Sequence, residues 1–196
     1  HRIPNHDPQF ADWKAMYRGD STGGPRGQLA GDHAIAEYIV ENSETEVNKD
    51  PNSINYVREI LNDTELNKKL SLINGYLGVT GVWSDDELAK LRGMMGNIKL
   101  LVSKDLPVSG YDVSLKQAKY QGKKVNLAYA SAVPLGIYGN DSSESTRRVA
   151  NIIMEAQYTA ALKAALDLGI QELFLLPVGG GVFNNRRRDI VENIIK

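Results

Sequence analysis

Val178-Gly179-Gly180-Gly181-Val182-Phe183-Asn184-Asn185 follows the apolar run Leu173-Phe174-Leu175-Leu176 and leads into a fresh helix start at Arg186. Three consecutive glycines strip the backbone of Cβ atoms, so its N–H groups can close around the oxygens of an anion. A helix beginning just after them adds its positive end to the same place. Phe183 is spaced to lie against a sugar or base at the rim, and Asn184 or Asn185 can cap the following helix. This pattern points to a phosphorylated small molecule. A tight turn packed on a neighbouring strand would also require glycines, and that reading stands beside the first. Neither GxGxxG nor GxxxxGK with Ser or Thr is present, so the usual nucleotide fingerprints do not apply.

Other chemistries find less support. The chain contains no cysteine, which removes thiolate nucleophiles, disulfides and cysteine-based zinc sites. His1, His6 and His33 show no metal-ligand spacing. His33 neighbours Asp32, as a proton carrier or as a packing residue of a loop. There is no GxSxG elbow, and Ser21 and Ser131 have no identified partner. A formal net charge of -1 gives no global field to attract nucleic acid or an acidic membrane, so nucleic acid would need a local patch. No apolar stretch nears bilayer-spanning length. The opening His1-Arg2-Ile3-Pro4 lacks an initiator methionine, and we expect a fragment or processed product acting as a monomer.

The elements that must position the loop follow from periodicity. Residues 1–31 are polar, with a shaped loop at Arg18 to Gly27, and Gln28 to Val40 reads as a short helix. Residues 42–52 form a charged connection. From Ser53 to Met95 the period is helical, with capping boxes at Asn62-Asp63-Thr64-Glu65, before Leu66, Leu70 and Ile73, and at Ser84-Asp85-Asp86-Glu87, and a glycine-punctuated turn from Asn74 to Gly81 between them. Residues 42–95 are expected to be a helical insertion or covering lobe of a single domain spanning 1–196. Tyr76 and Trp83 at its border would hold it to the sheet, or stack on a base if the lobe folds over the pocket. Lys119 to Lys124 is read as a turn into a strand from Val125 to Ser131. Arg147 to Leu168 is a long helix ended by Gly169, and Glu172–Leu176 follows as a second strand, parallel to the first. The fold class expected is α/β, with helices on both faces of a sheet. Glu155 should tie down a loop, and Arg186-Arg187-Arg188 should form a solvated face.

Leu175 to Asn185 resembles the second ligand loop of macro domains, above all the poly(ADP-ribose) glycohydrolase-like branch. Val125-Asn126-Leu127-Ala128-Tyr129-Ala130-Ser131-Ala132-Val133-Pro134 is similar to the strand and Ala/Pro turn before that branch's long helix. Arg148 to Tyr158 is similar to the helix itself. The likeness covers about 70 residues, Val125 to Ile195, and extends to macro-like hydrolase modules among secreted bacterial effectors that reverse ADP-ribosylation in host cells. It implies a three-layer α/β/α macro-domain-like mixed sheet with a pocket for ADP-ribose, and no cofactor. It also implies a cytoplasmic protein, or one secreted into a host cell. On the match, Val178, Gly179, Gly180, Gly181 and Val182 surround the diphosphate, Phe183 packs on the distal ribose and Asn184 lies at the pocket wall. The nearest counterpart of the family's first loop is Ser21-Thr22-Gly23-Gly24-Pro25-Arg26-Gly27, without the branch's paired glutamates. Poly(ADP-ribose) cleavage loses its machinery there, whereas release of a single ADP-ribose, or binding alone, does not.

The reaction so implied is hydrolysis at the anomeric carbon of the distal ribose. Its transition state develops oxocarbenium character, which a nearby carboxylate stabilises while orienting or deprotonating water. Asp20 stands at the mouth of the first glycine loop, Asp32 follows that loop, and Asp12 is a third candidate. Gly23, Gly24 and Arg26 would share the ligand, with Arg26 screening a carboxylate placed beside phosphate. Asp20 in an Asx turn and Asp32 in the first turn of a helix are the plain alternatives.

Overall fold

A computed structural model describes residues 57–73, 76–112 and 117–196 as a mixture of helix and antiparallel strand. In chain order the elements are α1 (Arg58–Leu61), β1 (Leu70–Ile73), β2 (Tyr76–Val79), α2 (Asp85–Gly93), β3 (Leu101–Asp112), β4 (Gln117–Tyr129), α3 (Glu144–Asp167) and α4 (Arg187–Ile195). Short 3₁₀ turns at Leu66–Lys68 and Met95–Asn97 flank the first hairpin and α2. The strands form two separate two-stranded sheets, β1 with β2 and β3 with β4.

Local chemistry accounts for the helix starts. Ser84 accepts from Glu87 N–H while the Glu87 carboxylate accepts from Ser84 N–H, the expected capping box at the head of α2. Ser143 caps α3 by accepting from Thr146 N–H. Asp141, just outside, accepts from Ser143 N–H, Ser143 Oγ and Thr146 Oγ1. These bonds, Thr146 foremost, hold the Asp141 carboxyl below the usual carboxylate range. At the far end Gly169 adopts φ +65 and closes the helix through Gly169 N–H to Leu166 O and Ile170 N–H to Ala165 O, as its position predicted.

The long helix divides the molecule. One face carries Val149, Ala150, Ile152, Ile153 and Ala156 into a cluster with Ile60, Leu66, Val79, Leu91 and Val133. The other face sets Met154 and Tyr158 against Ile190 of α4, with Leu175, Val178 and Ile194 alongside. The glycine loop is therefore suspended between α3 and α4.

Three expectations are corrected. Residues 57–95 are not uniformly helical: Leu70 and Ile73, read as one helix face with Leu66, lie instead on β1, paired with Val79 and Tyr76 of β2. Asp63 does accept from Glu65 and Leu66 N–H, but it begins only the short 3₁₀ turn. Lys119 to Lys124 is no turn either; β4 runs through it, with Gly122 at φ +74 and register shifts opposite β3. Finally, Glu172–Leu176 is not a strand and among the described residues β4 has no parallel neighbour; its partner is β3, antiparallel from Leu101↔Tyr129 to Asp112↔Gln117. An antiparallel ribbon closes through a short connection, while a parallel pair must first order a whole crossover.

Candidate functional site

The glycine loop is anchored from below by α3. Tyr158 is buried, and its phenol donates to Leu176 O at 2.7 Å and accepts from Val178 N–H at 3.1 Å. Burial pushes this phenol above its ordinary pKa, opposed by the Val178 N–H. The loop entrance thus hangs from a side chain, where a β-ladder was expected. From the side, buried Asn185 donates through Nδ2 to Val133 O at 3.1 Å, with Gly179 O and Phe183 O at 3.3 Å. Leu135 N–H donates to Phe183 O at 2.9 Å. Asn185 does not cap α4, as had been predicted for Asn184 or Asn185; Arg186 holds that position without a side-chain cap.

The three glycines answer to different constraints. Gly179 has φ +80, and a Cβ there would stand 2.4 Å from Ala132 Cβ and 2.6 Å from Asn185 Nδ2. At Gly180 it would meet Ile190 Cδ1 at 3.0 Å and Pro177 O at 3.2 Å. Both are explained by packing. At Gly181 it would meet none of the described residues within 4 Å, and φ is not positive. Neither crowding nor conformation requires glycine at this third position.

The same stretch carries unused donors. Among the described residues, the N–H groups of Gly179, Gly181, Val182 and Phe183 have no acceptor, whereas those of Gly180, Asn184 and Asn185 are taken by Pro177 O, Gly181 O and Gly179 O. Asn184 holds the turn at φ +54. Gly181 and Val182 are exposed, Val182 at 83%, whereas Gly179 and Phe183 are half-buried. Free N–H groups at Gly179 and at Gly181 to Phe183, a few residues before α4 begins at Arg187, suit an anion.

Aromatic residues meet beside it. Phe183 is half-buried and contacts Tyr76 of β2 edge-on, with centroids 5.2 Å apart and planes at 85°. Tyr76 stacks on Tyr138 at 4.5 Å. Tyr138 belongs to the turn Pro134 to Asp141, which is tied to β2 by buried Asn140: its Oδ1 accepts from Val79 N–H at 2.6 Å, and its Nδ2 donates to Leu77 O at 3.0 Å and Pro134 O at 2.8 Å. Sequence reasoning missed Tyr138 and Asn140. Their signal was present as Gly136-Ile137-Tyr138-Gly139-Asn140-Asp141, a second glycine-bracketed turn.

Asp12, Asp20, Asp32, Gly23, Gly24 and Arg26 lie outside the described residues, as do His1, His6 and His33. Val178, Gly179, Gly180, Gly181, Val182, Phe183 and Asn184 are together in the one loop described above. Glu155 binds Lys196 Nζ at 3.1 Å and Arg92 Nη1 at 3.5 Å, a structural ion pair. Arg188 pairs with Glu192, and Arg186 lies 3.9 Å from Glu144, both at the exposed surface. Trp83 is core, with Lys69 Nζ over its ring. Among the described residues no cluster of His, Asp and Glu could hold a metal, and no helix is long and apolar enough to cross a membrane.

The chain matches no protein-family model, no curated protein and no solved structure.

Proposed function

We propose that this protein is a hydrolase that releases ADP-ribose from ADP-ribosylated protein. The ligand's diphosphate would lie on the free N–H groups of Gly179, Gly181, Val182 and Phe183, with its distal ribose against the Phe183 ring. The observation that carries the reading is Gly181, a glycine that packing among the described residues does not need, whose unused N–H stands beside that of Val182 on an exposed stretch. Asp20, Asp32 or Asp12 would supply the carboxylate that aligns water at the anomeric carbon. A three-layer macro-domain-like sheet is part of the same proposal. Such a sheet would cover Leu173, Phe174 and Leu176, and Val125 and Leu127 of β4, all of which are exposed. A non-catalytic ADP-ribose-binding module would use the same loop and differ only in lacking the carboxylate at work.

One paired experiment separates these. Gly181→Val should fold with stability within about 0.5 kcal/mol of the parent yet bind ADP-ribose at least about tenfold more weakly by calorimetry. Asp20→Asn should keep binding and lose release of ADP-ribose from a modified protein. Unchanged affinity in Gly181→Val would remove the loop from the site. Binding without turnover in the parent would leave the binding module.

A further inference from the structure

Three aromatic rings reach one point from three distant parts of the chain: Tyr76 from β2, Tyr138 from the turn before α3, and Phe183 from the glycine loop. We infer that Tyr76 and Tyr138 are positioning residues that fix the Phe183 ring for the ligand's sugar. Where the ligand is concerned, this rests on the reading of the glycine loop given above; the ring geometry does not.

The turn carrying Tyr138 is built around an unfavourable backbone. Tyr138 sits at φ +51, a conformation bulky side chains avoid, between Gly136 at φ +79 and Gly139 at φ +80. A strained residue persists only where its surroundings over-determine it. Here buried Asn140 locks the turn to β2, the strand that supplies Tyr76, through Val79 N–H and Leu77 O, and closes the turn on itself through Pro134 O. The result is a Tyr76–Tyr138 stack with planes 22° apart. Phe183 then meets Tyr76 at 85° while its carbonyl accepts from Leu135 N–H in the turn that carries Tyr138. Ring and backbone of Phe183 are thus held by one assembly. A right-angle contact with a single neighbouring ring leaves at least one Phe183 face uncovered by either tyrosine. That face belongs to the residue whose own N–H is among the free donors. A sugar bound through its phosphates on those donors would rest its C–H surface on the ring, and the tyrosines would set its angle to the attacking water.

The test uses the full chain labelled with 4-fluorophenylalanine, in which Phe10, Phe174 and Phe183 are the only labelled positions. Loss of one ¹⁹F resonance in Phe183→Leu assigns that ring. Tyr138→Gly removes the side chain and suits the left-handed backbone, while Tyr138→Phe keeps the ring. The expected result is a displaced or broadened Phe183 resonance in Tyr138→Gly and a parent-like one in Tyr138→Phe. Turnover number should fall about tenfold in Tyr138→Gly, with a smaller change in KM and recovery in Tyr138→Phe. If Tyr138→Gly is unfolded by circular dichroism, Tyr76→Leu makes the same test from the other side. An unmoved Phe183 resonance in a folded variant overturns the inference. A moved resonance with no ADP-ribose binding by the parent supports the positioning role and overturns the ligand reading alone.

Discussion

Gly179 and Gly181 stand two residues apart in one loop and answer to opposite demands. Gly179 combines a left-handed backbone with contacts that a single methyl would violate, so Gly179→Ala adds strain to overpacking. We expect it to lower unfolding stability by about 2 kcal/mol or more, measured by denaturant titration, with its effect on ligand affinity following from the damaged loop. Equal stability of Gly179→Ala and the parent would contradict the Ala132 and Asn185 contacts. A string of three glycines is legible in the sequence, but the division of labour within it is not. That division depends on Ala132, 47 positions before Gly179, and on Asn185 beyond the loop. Asn185 shows the same limit: an Asn before a helix reads as a cap, but burial beside Val133 O turned its amide to the neighbouring loop.

At the scale of elements, α3 was legible almost to its ends, because capping and C-terminal glycine chemistry are local. Its N-terminus makes a pH prediction. The Asp141 carboxyl is held below its ordinary range by Thr146 and Ser143, so its contribution is complete above the ordinary carboxylate pKa of about 3.9. That contribution is lost as pH falls through the lower folded-state value. Melting temperatures of the parent and Asp141→Ala should differ at pH 7 and converge only in acid below the lowered folded-state value; a gap persisting into strong acid would show that charge is not the cause. The β1–β2 hairpin was misread because Leu66, Leu70 and Ile73 also satisfy helical spacing. Asn74-Gly75 between Ile73 and Tyr76 was the better signal, a dipeptide suited to a two-residue connection between paired strands.

At the scale of the whole molecule, residues from α1, β2 and α2 share one hydrophobic cluster with α3 and with Val133 and Leu135 of the turn that binds the glycine loop. Ile152 is 1% exposed within it, and Ile152→Ala should cost about 2–5 kcal/mol through the cavity left behind. Because the cluster is continuous, hydrogen exchange should rise together in β2, α2 and α3; acceleration confined to α3 would show that these elements unfold separately. The sequence by itself determined the long helix, its closing Gly169, the glycine loop and the absence of cysteine chemistry, since each depends on neighbours a few residues apart or on composition. Only the tertiary structure decided which strand β4 pairs with, that a tyrosine hangs the glycine loop from α3, and that the Tyr76 ring joins those of Tyr138 and Phe183. Those outcomes turn on groups separated by tens of residues, whose meeting depends on burial and chain closure across the whole fold, and no local pattern encodes them.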